Sequence, residues 1–171
     1  MPLFKDGQFV PDVWRRLDAS EELPTNGHIL MTLEDWHVRA PQRAHGHASN
    51  VAFGLLLEPD DSLEEIAAEL PHIDMIALTF PKFSDGRAYS QAQLLRTRWK
   101  YKGDLRAVGD VLFDQLQLMA RSGFTTFEIQ NEATIKLLEA GRRPDVHEFY
   151  QPSLGPDEVP AGTRPWLRRP G

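Results

Sequence analysis

The chain has 171 residues, 26% charged and 41% hydrophobic, with no cysteine and a net charge of −6. That length suits one globular domain with its own core, and the missing thiols exclude disulfides, thiolate metal sites, cysteine-ligated iron–sulfur clusters and thiol redox chemistry. The acidic balance argues against nucleic acid as the main partner, and no apolar run approaches the ~20 residues of a membrane helix.

The N-terminal MPLFKDGQFV has no apolar signal core, so a cytoplasmic protein is expected. In chain order, Phe4–Val10 carries an Asp6-Gly7 turn signal and reads as a hairpin. Leu17–Gly27 is polar and reads as loop, His28–Leu33 as a first strand, and Glu34–Arg39 as a short helix ended by Pro41. After a loop over Gln42–Asn50, Val51–Leu57 is an almost unbroken apolar run, the mark of a strand covered on both faces. Ser62 and Glu65 have capping-box spacing, and Leu63, Ile66, Ala67 and Leu70 follow at helical intervals, which predicts a helix there. Met75–Phe80 reads as the next buried strand. Ala88, Ala92, Leu95 and Trp99 share one helix face, with Gly103 as the stop. Leu105–Val108 reads as a strand. Leu112, Leu116, Met119 and Ala120 form a helical stripe stopped by Gly123. Thr125–Ile129 is a further strand, and Asn131 caps a last helix through Leu138 that ends at Gly141.

Strands separated by single helices pair in parallel through right-handed crossovers. The expected fold is α/β, about five mainly parallel strands alternating with helices, with an open doubly wound sheet favoured over a partial barrel. One domain is expected over 1–149 and a proline-rich tail over 150–171, where five of the thirteen prolines fall. Such a tail has little to bury; Trp166, set among Arg164, Arg168 and Arg169, is its one docking candidate.

In parallel α/β sheets, ligands gather beyond the carboxyl ends of the strands. Three polar groups fall there: Pro81–Gln91; Gly109, Asp110, Asp114 and Gln115; and Glu128, Gln130 and Asn131. Residues 80–109 hold seven Lys and Arg against two Asp, a local +5 that leaves −11 on the rest of the chain. A basic segment on an acidic protein attracts an anionic ligand or an acidic surface, although a solvated helix face explains Arg96, Arg98, Lys100 and Lys102 as well. The first turn has the strongest case. Gly86 allows an unusual backbone, the next helix starts near Ala88 with free N–H groups, and Lys82, Asp85, Arg87, Tyr89 and Ser90 surround it. A compact oxyanion such as sulfite, sulfate or phosphate suits that chemistry. The competing structural reading pairs Asp85 with Arg87 or makes it a helix cap. Arg106 and Asp110 share strand parity and are the catalytic candidates, one as clamp and one as proton carrier, with Asp110 equally readable as an N-cap. The site then requires Lys82, Arg87 and Arg106 to face one positively charged hollow. His45-Gly46-His47 lacks an evident third ligand and second shell, so no metal is assigned. No Gly-x-Gly-x-x-Gly turn, phosphate loop or Gly-x-Ser-x-Gly elbow is present.

The stretch Phe80-Pro81-Lys82-Phe83, Asp85-Gly86-Arg87, Tyr89-Ser90, Leu94-Leu95-Arg96, Leu105 through Val111, Asp114-Gln115 and Gly123-Phe124, with Leu57 through Asp61 before it, resembles a bacterial family of unknown function. Members of that family are described as oxidoreductases of sulfite reduction. The resemblance covers roughly residues 50–130. It implies an oxidoreductase or an accessory protein of assimilatory sulfite reduction, with sulfite reductase or another sulfate-assimilation enzyme as partner. It carries no established catalytic residues and no cofactor. With no thiolates in the chain, a noncovalent cofactor or a partner reductase would have to perform any redox step. The alternative is a non-catalytic docking or regulatory module for such an enzyme.

Overall fold

The computed structural model describes residues 2–18, 20–40 and 50–144. The His45-Gly46-His47 loop and the tail with His147 and Trp166 lie outside them. Eight strands are described: β1 Leu3–Lys5, β2 Gln8–Val10, β3 Trp14–Arg16, β4 Asn26–Thr32, β5 Asn50–Leu57, β6 Met75–Phe80, β7 Asp104–Gly109 and β8 Thr126–Glu128. Four α-helices accompany them: α1 Leu33–Val38, α2 Arg87–Thr97, α3 Leu116–Arg121 and α4 Glu132–Glu139.

Local chemistry explains many of the boundaries. Asp6 and Gly7 take φ of 49° and 82°, the left-handed pair that a two-residue hairpin turn needs between β1 and β2. Thr32 caps α1 by accepting from the Asp35 N–H at 3.2 Å. The Asn131 carboxamide caps α4 by accepting from the Thr134 N–H at 2.9 Å, and Gly141 leaves that helix at φ 74°. The helix expected after Ser62 is replaced by two short 3-10 turns, Leu63–Ile66 and Leu70–His72. Ser62 makes no capping bond to the backbone; its hydroxyl donates to the Glu64 carboxylate at 3.2 Å instead. Pro71 stands at the start of the second turn; it has no N–H to donate, so a continuous helix through the segment would lose a bond there.

The strands form one sheet in the order β2-β1-β8-β7-β6-β5-β4-β3. β3 to β8 are parallel and lie in chain order, while the β1–β2 hairpin joins β8 antiparallel. The sheet thus has more strands than five and is not wholly parallel. Nor is it doubly wound. Trp36 of α1, Ile66, Leu95 of α2, Met119 of α3 and Leu138 of α4 all join one core with Ile29, Leu55, Leu78 and Leu105. Right-handed crossovers that always advance to the next strand in the same direction put the described helices on one face.

The opposite face carries a separate cluster of Leu30, Leu56, Met75, Ala77 and Val108, with Trp14 packed on it. No residue of the described helices belongs to that cluster, yet Met75 and Ala77 are 1% and 0% exposed. Curvature accounts for this burial. β2 and β3 are the two edges of the sheet, but only Pro11–Val13 separate them in the chain. Four Cα steps reach at most ~14 Å, whereas the edges of a flat eight-stranded sheet stand ~34 Å apart. The sheet therefore curls until its edges nearly meet, and the inner face closes on its own side chains. Registered pairing places Leu56, Ala77, Arg106 and Thr126 side by side in one layer of that interior. Gly54 is part of the same arrangement, since the Trp14 ring lies 2.7 Å from where its Cβ would be.

Candidate functional site

The turns that follow β6 and β7 are tied together at the carboxyl end of the sheet. Gly109 makes the approach possible: its φ is 95°, and the Phe80 carbonyl oxygen lies 2.3 Å from the position of a Cβ. The Asp110 N–H donates to that carbonyl at 2.8 Å. The Asp110 carboxylate accepts from the Phe83 N–H at 2.9 Å, and Gln115 Nε2 donates to the Phe83 carbonyl at 2.8 Å. Asp110 therefore fastens the neighbouring turn rather than capping the next helix, which begins as a 3-10 turn at Phe113. Phe83 is held by both of its backbone polar groups, while the residue is 55% exposed.

Arg87 opens α2, and its charge is already matched. Asp85 accepts from the Arg87 N–H at 3.1 Å, from Nε at 3.0 Å and from Nη2 at 2.6 Å; Asp60 pairs with Nη1. These bonds, first among them the one to the guanidinium, hold the Asp85 carboxyl down at about 2. Asp85 thus takes the place that an external oxyanion would occupy beside the first N–H of α2. Gly86 sits at an ordinary φ of −85°, so the turn makes no use of glycine freedom there. Lys82 and Ser90 are exposed. Tyr89 packs edge-on against Phe80 at 5.1 Å and lines the core rather than the surface. Its hydroxyl is buried without a partner among the described residues, and burial with Asp114 nearby pushes the phenol up to about 12.

Arg106 lies elsewhere. It is 2% exposed on the inner face and donates to Asp12 through both terminal nitrogens, at 2.8 and 2.9 Å. A bidentate, charge-assisted pair of this kind offsets the cost of taking a guanidinium out of water. Burial raises the Asp12 carboxyl, but the Arg106 bond, the Trp14 N–H and the Arg106 charge outweigh it, and the net shift is downward. Asp12 belongs to the short link between β2 and β3. The ion pair therefore pins the link that joins the two edges of the sheet.

Two adjoining cavities open at this end of the strands. One, of about 390 Å³, lies on the inner face around Arg106, Glu58, Glu128 and Arg16. The other, of about 430 Å³, lies over the strand ends around Pro81, Asp110 and Asn131. Thr79, Gly109 and Gln130 border both. The structure thus brings Arg106 and Asp110 to neighbouring cavities. Lys82, Asp85, Gly86, Arg87, Tyr89 and Ser90 line neither. The single cationic hollow expected from the sequence is not formed, because Asp60 and Asp85 claim Arg87 while alternation along β7 turns Arg106 to the inner face.

The inner cavity also contains residues that sequence reading passes over: Asp12, Trp14 and Arg16. β3 is three residues long, too short to show a period, and its role comes only from pairing with β4. Glu128 and Gln130 were legible as polar strand-end residues; their alternation with Phe127 and Ile129 is the signal, and those apolar residues join the helix-covered core. Among the described residues, no group of three His, Asp or Glu is placed to hold a metal ion, and no helix is long and apolar enough to cross a membrane. Residues 54–160 match the family described as "Bacterial protein of unknown function (DUF934)". No curated protein matches the chain.

Proposed function

The chain belongs to that bacterial family of unknown function, and we propose that it serves assimilatory sulfite reduction as an accessory protein, docking through Pro81–Gln91 on sulfite reductase or another enzyme of the pathway. The process is the one implied by its resemblance; the preference for docking over catalysis rests on the turn. One observation carries it: Phe83 is 55% exposed on a backbone fastened at both N–H and C=O. An aromatic ring presented by a pre-ordered turn loses little freedom when a partner covers it. Lys82 beside it makes no ion pair with a described residue, and such a charge steers association with an acidic surface. Asp110, Arg87 and Arg106 spend their charged groups on partners within the chain, which supports a docking turn over an oxyanion or proton-transfer site. The redox step then belongs to the partner.

A pull-down with purified assimilatory sulfite reductase tests this reading. Docking predicts retention at low salt, weakening as salt rises, and roughly tenfold or greater loss of affinity for Phe83→Ala. Absence of retention, or retention unaltered by Phe83→Ala combined with Lys82→Ala, removes the turn from consideration. Sulfite-dependent turnover by the purified chain, with the absorbance of a bound flavin or haem-type group, favours the oxidoreductase reading instead.

A further inference from the structure

The inner-face cavity stands apart from the docking turn and raises its own question. Its lining comes from β3, β4, β6, β7 and β8, with Glu58 directly after β5 and Asp12 in the link that closes the curl. Convergence of polar side chains from several parallel strands at their carboxyl ends is the usual position of a small-molecule site in curled α/β sheets. A volume of about 390 Å³ is that of a compact ligand rather than a peptide.

The charges narrow the class. Asp12 and Arg106 neutralise each other through two hydrogen bonds. Among the described residues of the lining, that leaves Glu58 and Glu128 as acceptors and Arg16 as the remaining cation. Glu58 takes a neutral hydrogen bond from the Thr79 hydroxyl at 3.2 Å, and Glu128 a long one from the Gln130 amide at 3.5 Å. Neither bond cancels a charge. Arg16 makes no ion pair with a described residue, although its neighbour Arg15 pairs with Glu21. The two glutamates stand at the ends of strands three apart, a separation of ~14 Å along the sheet before their side chains reach inward. Two separate cationic groups fit that spacing better than one. Trp14 supplies an apolar part of the lining, with its own ring edge-on to His28 at 5.1 Å.

We propose that the inner-face cavity binds a small diamino acid, with its two ammonium groups at Glu58 and Glu128 and its carboxylate at Arg16. Three complementary contacts leave no unmatched charge at the mouth, whereas a simple anion meets two carboxylates and a simple diamine leaves Arg16 unpaired. The Asp12–Arg106 pair does not touch the ligand in this scheme; it holds the β2–β3 link, and with it Arg16, in place.

The probes are L-lysine, cadaverine, which lacks the carboxylate, and norleucine, which lacks the side-chain amine. Binding is read from the Trp14 indole N–H resonance on the full chain. L-lysine is expected to shift that resonance at millimolar concentration and to bind more tightly than either analogue. Glu128→Gln should cost lysine roughly tenfold or more in affinity while narrowing its advantage over norleucine. Arg16→Gln should narrow its advantage over cadaverine. Both positions are at the mouth, and an unaltered thermal transition in each variant confirms folding. No shift at Trp14 with lysine, equal binding of all three probes, or lysine binding indifferent to both substitutions overturns the proposal.

Discussion

The outer and inner faces of the sheet are both buried, but by different means. The outer face is covered by other elements: α1, α2, α3, α4 and the 3-10 turns lay apolar residues on Ile29, Leu55, Leu78 and Leu105. The inner face is covered by curvature, with Trp14 folded over Gly54 and Arg106 held by Asp12. Apolar burial on the outer face is spread over many residues. On the inner face one ion pair fixes the link that brings the sheet edges together. The two prominent arginines repeat the contrast. Arg106 is 2% exposed with one carboxylate partner, whereas Arg87 is half exposed and shared between Asp60 and Asp85.

The sharpest way to break that comparison is at the pair itself. Asp12→Ala leaves the buried Arg106 guanidinium, 2% exposed, without its carboxylate partner and should cost about 3–5 kcal/mol in urea denaturation. Arg106→Met combined with Asp12→Leu should recover much of that loss, because apolar groups of similar size replace a desolvated pair. A double variant as unstable as the single one would show that the charges, and not the packing, close the curl. The pair also sets an acid limit. The Asp12 carboxyl lies below its ordinary value in the folded chain, so its contribution is complete above the unfolded aspartate range near ~3.9 and disappears as pH falls through the lower folded value. Arg106→Met should remove this part of the acid sensitivity below about pH 4.

Smaller effects are expected where the two strand-end turns meet. Gly109→Ala forces a side chain into a left-handed position beside the Phe80 carbonyl; backbone strain alone costs roughly 1–3 kcal/mol, read as a lower thermal midpoint. Asp110→Ala removes the acceptor of the Phe83 N–H and should cost about 1–2 kcal/mol. Faster hydrogen exchange at that amide, with the rest of the sheet unchanged, would locate the loss in the turn. Smallest of all, Arg87→Ala should leave the denaturation midpoint unchanged within error, because exposed ion pairs contribute little. A clear loss of stability there would mean that the α2 entrance matters as much as the inner face.

The regular elements were legible because their signals are local. β6 runs over Met75–Phe80 as its apolar run predicts, the Asp6-Gly7 turn makes its hairpin, and Asn131 caps α4. Each follows from side-chain period, φ preference or a hydrogen bond within a few residues. The same reading placed Lys82, Asp85 and Arg87 in one turn, and the competing view of Asp85 as the partner of Arg87 describes their geometry. It did not find β3, whose three residues acquire strand character only from β4, nor the 3-10 turns that replace the helix expected after Ser62.

Sequence by itself determined an α/β chain, most of its strands and helices, and the polar character of the turns after β6, β7 and β8, since those depend on near neighbours. Only the tertiary structure decided that the described helices all lie on one face, that the sheet curls until β2 nears β3, and that Arg106 turns inward to Asp12 across 94 positions of chain. Those outcomes depend on strand order and on which distant carboxylate reaches a given guanidinium. No local pattern encodes either one, because both are settled by long-range packing and by the cost of leaving a buried charge unpaired.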